Sequence, residues 1–118
     1  MSILALQELR VEKTLQEEQG PIDEAIVKEL MLITPETWDF VALDVSWESS
    51  GGIEQFPHRI TGPAGSKEIP VPSEHLFQLT RELSLLFLRR GHRWKSVRYE
   101  VRVLPDDSWR YFATFSYS

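Results

Sequence analysis

From Val97 to Tyr117 the chain alternates apolar and polar residues in two runs joined by Pro105-Asp106-Asp107-Ser108, and this alternation constrains the fold more than any other feature. Successive side chains of a strand point to opposite faces. Val97, Tyr99, Val101 and Val103, then Trp109, Tyr111, Ala113, Phe115 and Tyr117, therefore share one face of a predicted β-hairpin, while Arg98, Glu100 and Arg102 take the other. Such an apolar face has to be covered, and the rest of the chain supplies helices to cover it.

Two helical segments come first, separated by Gly20-Pro21. Leu4, Leu6, Leu9, Val11 and Leu15 recur at roughly helical intervals, and Ile22, Ile26, Leu30 and Ile33 at steps of three or four. Two helices or one kinked helix both fit, since proline opens a helix without losing a hydrogen bond. Thr34-Pro35-Glu36-Thr37-Trp38 reads as a short turn, with Thr34 as an N-cap and Pro35 in the first helical position. A strand pattern follows, with Val41, Leu43, Val45 and Trp47 against Asp44, Ser46 and Glu48, until Ser49-Ser50-Gly51-Gly52 turns the chain. A second strand from Ile53 to Thr61 completes a hairpin, and Pro57, lacking a ladder donor, places it at an edge or a bulge. Residues 62–72 are loop, Ser73 caps a helix reaching about Arg90, and Gly91 ends it.

The predicted fold class is α+β: a mainly antiparallel sheet of about four strands, in two hairpins, covered on one face by the N-terminal helix or helices and the central helix. The 118 residues, 42% hydrophobic, suit a single domain spanning 1–118, with 1–20 a helical extension of the domain proper at 21–118. Trp38, Trp47, Trp94 and Trp109 are expected to supply much of the core.

Chemistry is harder to find. With no cysteine, the chain has neither disulfides nor thiolate ligands nor a thiol nucleophile. Gly62 to Lys67 has the glycines of a phosphate loop at too short a spacing, followed by Ile69-Pro70-Val71-Pro72 where a helix must start. His58, His75 and His92 lack metal-site spacing. No serine-nucleophile signature is present, so neither a catalytic site nor a cofactor is expected. Met1 to Arg10 has no basic stretch ahead of its apolar residues, and Leu83 to Leu88 has charged neighbours on both sides. Neither a secretion signal nor a membrane span is expected, and a cytoplasmic protein is.

The net charge of −5 is unevenly spread: residues 1–36 carry −5, residues 37–88 carry −4, and residues 89–118 carry +4. An acidic surface disfavours nucleic acid and attracts cationic proteins. The basic run Arg89 to Lys95 follows a helix C-terminus, where cations complement the helix dipole and are placed to pair with the acidic N-terminal helices.

The helix IDEAIVKELMLITPETW leading directly into DFVALDVSW, the helix LFQLTRELSLLFLRRG and the terminal WKSVRYEVRVLPDDSWRYFATFSY resemble the YezG-like family of bacterial immunity proteins, antitoxins of polymorphic toxin systems. The likeness runs from about Pro21 to Tyr117. The Met1 to Gly20 segment and the Phe115-Ser116-Tyr117-Ser118 ending depart from it. The resemblance implies a cytoplasmic protein that binds a cognate toxin domain, frequently a nuclease, and blocks it by occlusion without chemistry of its own.

On that reading acidic residues meet a cationic toxin. Asp44, Glu48 and Glu54 form one candidate patch, and Glu17, Glu18, Asp23 and Glu24 a second. The competing reading of Asp44 and Glu48 is cross-strand pairing with Arg98, Arg102 or Arg110. The rival functional classes are a non-catalytic adaptor or regulatory binding module and, less favoured, a small enzyme.

Overall fold

A computed structural model describes residues 14–117. Helix α1 (Leu15–Ile33) is followed by strands β1 (Phe40–Ser46), β2 (Glu48–Ser50), β3 (Ile53–Gln55) and β4 (His58–Thr61). Then come helix α2 (Glu74–Arg89) and strands β5 (Ser96–Val103) and β6 (Trp109–Ser116). The predicted residues Leu4, Leu6, Leu9 and Val11 lie outside the described residues. Of the 1–20 segment, Leu15 to Gly20 belong to α1, which runs through Gly20-Pro21 without a break. The boundary drawn at Gly20 therefore falls inside a helix. Burial of Ile26, Val27 and Leu30 on its inner stripe outweighs the one hydrogen bond that Pro21 cannot donate.

Both helix starts are capped by hydroxyls. Thr14 Oγ1 accepts from the Glu17 N–H at 3.1 Å, and Ser73 Oγ accepts from the Leu76 N–H at 3.0 Å. Ser73 Oγ in turn donates to Glu29 of α1 at 2.6 Å. At the opposite ends of the same two helices Arg90 is ion-paired with Glu18, so α1 and α2 run antiparallel. Gly91, with φ at +77°, closes α2 as expected. Thr34 corrects the sequence reading: it ends α1, donating its hydroxyl to the Leu30 carbonyl at 2.7 Å, and starts no new helix. Pro35 forces the residue before it out of the helical region, to φ −111° and ψ 155°.

The four-stranded antiparallel sheet has the order β4-β1-β5-β6, with α+β architecture as the sequence implies. The first hairpin continues past the sheet as the separate β2-β3 ladder, with Trp47 and Phe56-Pro57 at the break. Pro57 leads into β4, which is an edge strand. Val41, Leu43, Val45, Val97, Tyr99 and Val101 face the helices and pack on Ile26, Leu30, Leu76, Leu83 and Phe87. Of the four tryptophans only Trp94 is fully buried; Trp38, Trp47 and Trp109 flank the core half-exposed. Trp38 and Trp47 flank the two ends of β1 and Trp109 opens the edge strand β6, so their size does not bring complete burial.

Candidate interaction surface

Both helices pack on one face of the four-stranded sheet, so the outward phase of its strands β4, β1, β5 and β6 is left on the opposite face. The registers place Asp44 across from Arg59 on β4 and from Arg98 on β5. They place Glu100 across from Ala42 on β1 and Phe112 on β6, and Arg102 across from Phe40 and Arg110. This face thus gathers four guanidinium groups, from Arg59, Arg98, Arg102 and Arg110, around two carboxylates, Asp44 and Glu100.

The carboxylates are already engaged. Arg98 Nη1 donates to Asp44 Oδ2 at 2.5 Å, and its Nε donates to Glu100 Oε1 at 2.9 Å. The hydrogen bonds it donates to Glu100 and then to Asp44 raise the pKa of the Arg98 guanidinium. Arg102 lies over the Phe40 ring, 4.8 Å from its centroid. Phe112 projects between these groups with 61% of its surface exposed, although it belongs to the longest strand pairing of the fold. Among the described residues, neither Arg102 nor Arg110 has an ion-pair partner.

The acidic residues singled out in the sequence differ in exposure and in pairing. Asp44 takes the cross-strand pairing with Arg98. Glu48 is exposed on β2 and borders, with Asp44, Ser46, Pro57, His58 and Arg59, a depression of about 360 Å³. Glu54, on β3, is paired with Arg93 at 2.8 Å, while the Arg93 guanidinium also lies 5.5 Å from the Trp47 ring centroid. On α1, Glu17 and Glu24 are exposed and Glu18 is half-buried against Arg90.

Asp23 departs furthest from expectation, being 7% exposed and turned into the core. It accepts the Tyr99 hydroxyl at 2.5 Å and the Gln19 amide at 3.0 Å. Burial pushes its pKa up against the opposing effect of those two donors. The Tyr99 phenol is in turn held far above its ordinary range by burial and by the neighbouring carboxylate. Asp23 belongs to no surface patch, because position 23 falls on the same helical stripe as Ile26, Val27 and Leu30.

The histidines are dispersed as the sequence suggested. His75 and His92 are exposed, and His58 bridges β4 to α2, with Nδ1 2.8 Å from the Phe56 carbonyl and Nε2 2.7 Å from Thr80 Oγ1. Burial lowers its pKa, offset in part by the Phe56 carbonyl. Among the described residues, no three His, Asp or Glu side chains are grouped to hold a metal ion, and no helix is long and apolar enough to cross a membrane. Gly62, once part of the apparent phosphate loop, packs against Trp38: a Cβ there would sit 2.4 Å from the indole ring. Trp38 and Phe40 also border an apolar groove of about 210 Å³ with Met31, Val101 and Val103.

The arginine face was half visible in the sequence. The Pro105 to Ser108 turn sets Arg102 opposite Arg110 by counting outward from the loop, whereas the contributions of Arg59 and Asp44 depend on β1 pairing with β5 across more than fifty residues. No family model matches the sequence, and no curated protein matches it. The family resemblance therefore rests on the patterned segments that carry it.

Proposed function

We propose that this chain is a binding protein of the immunity type, which holds a cognate toxin domain by surface occlusion and transforms nothing itself. The observation that carries the reading is the one-sided sheet: two helices cover one face, and the other presents Phe112, Phe40 and a set of arginines on rigid strands. A rigid strand surface carrying aromatic and arginine side chains has the residue types that dominate binding energy at protein interfaces. The resemblance of the Ile22–Trp38, Leu76–Gly91 and Trp94–Tyr117 segments to YezG-like immunity proteins supplies the toxin as the partner. The site of action in this reading is the cytoplasm of the producing cell.

Co-expression with the toxin domain encoded beside this gene tests the proposal. Survival of the host and co-purification of the two chains in a stable complex are the expected results. Continued killing in the presence of soluble, folded protein would overturn it.

A further inference from the structure

The sheet contains one feature that folding does not explain. Arg102 and Arg110 are direct cross-strand partners on β5 and β6, and like charges so placed destabilise a sheet pair. Arg98, by contrast, is satisfied by two carboxylates. The chain carries a net charge of −5, yet this face sums to an excess of two positive charges, concentrated at the end where Arg102 and Arg110 meet.

We propose that the outer face of the sheet, centred on Arg102, Arg110 and Phe112, docks an acidic segment of the partner protein, whose Asp or Glu carboxylates sit between the two guanidinium groups. The proposal rests on the toxin-binding reading and specifies the chemistry of the toxin's contact surface. It reverses the polarity of the acidic interface that the sequence suggests, because Asp44, Glu18 and Glu54 are internally paired and Asp23 is buried.

Charge complementarity selects the occupant. A planar guanidinium fork donates two parallel N–H bonds to one carboxylate, and two adjacent forks match a pair of acidic side chains. Phe112 beside them offers an apolar anchor at the centre of the contact. A nucleic-acid strand fits less well. Its evenly spaced phosphates need a continuous basic track, and here Asp44 and Glu100 interrupt the arginines on a protein that is acidic as a whole.

Two experiments test this with the full chain. In the first, chemical shifts are followed while hexaglutamate or a ten-nucleotide single-stranded oligothymidylate is added. Salt-sensitive shifts at Arg102, Arg110 and Phe112 with the peptide alone support the proposal; no response to the peptide, or a response to the oligonucleotide alone, overturns it. In the second, affinity for the co-expressed toxin domain is compared between wild type, R110E, and an R81A/R89A control on the exposed side of α2. R110E is expected to lose at least about tenfold in affinity and to flatten its salt dependence, while melting at a higher temperature because it now pairs with Arg102. Unchanged affinity in R110E, with the complex intact, would overturn the acidic-segment assignment alone. Failure of the wild type to form any complex would instead remove the toxin-binding reading on which it rests.

Discussion

Asp23 shows how one carboxylate can be legible by type and illegible by role. Its neighbours Glu17, Glu18 and Glu24 make it look like part of a hydrated helix face, but its angular position sets it under the sheet, hydrogen-bonded to Tyr99. A pKa raised by folding means that the folded state binds the proton more tightly, so the contribution favours the fold at low pH and is lost as pH rises above the ordinary value of 3.8. D23N keeps an acceptor for Tyr99 and removes the buried charge, with the Gln19 amide free to turn its oxygen toward the new donor. Its melting temperature is expected to exceed that of the wild type at neutral pH, the advantage shrinking as pH falls toward 3.8, which calorimetry across that range checks.

His58 acts in the opposite sense. Its pKa is depressed on folding, so stability falls as pH drops through the ordinary imidazole value of 6.5, where the unfolded chain takes up the proton first. The two groups therefore act on stability in opposite directions as pH falls. Asp107 offers a backbone test at the same scale: it sits at φ +66° in the β5-β6 turn, a conformation glycine adopts without strain. D107G is expected to raise stability by up to about 1 kcal/mol in denaturant unfolding, the relief of strain outweighing the added flexibility of the unfolded chain.

At the scale of elements, the predictions concern how pieces are joined. Ser73 caps α2 while donating to Glu29 of α1, so one hydroxyl serves both a helix start and a helix–helix contact. S73A should cost about 1–2 kcal/mol, at the upper end for a cap, because Glu29 loses its donor as well. G62A should cost about 1–3 kcal/mol, since the indole of Trp38 must leave the space a Cβ would take; the accompanying change in tryptophan emission separates that mechanism from general unfolding. The β5-β6 hairpin, the caps at Ser73 and Gly91 and the strand phase of Val41 to Val45 could be read from the sequence because each depends on residues a few positions apart. The continuity of α1 through Pro21, the change of role at Thr34 and the break at Trp47 could not, because tertiary packing decides them against local preference.

For the whole molecule, the central question is which face meets another protein. The sequence supplied the acids and the arginines but not their sides, because pairing of β1 with β5 converts scattered charges into a single arginine-rich face with an engaged acidic centre. Cross-strand Arg102 and Arg110, an exposed Phe112 and a bare sheet face on an otherwise acidic chain form one coherent arrangement, and it lies opposite the helices.

The absence of cysteine makes the decisive measurement simple, since a single introduced thiol reports on its own position. T114C lies exposed on the outer sheet face beside Phe112, and Q78C lies exposed on α2. Maleimide labelling of each variant is to be timed with and without the toxin domain. The account predicts that the complex slows labelling at position 114 and leaves position 78 unchanged; protection at 78 with 114 still freely labelled would contradict it.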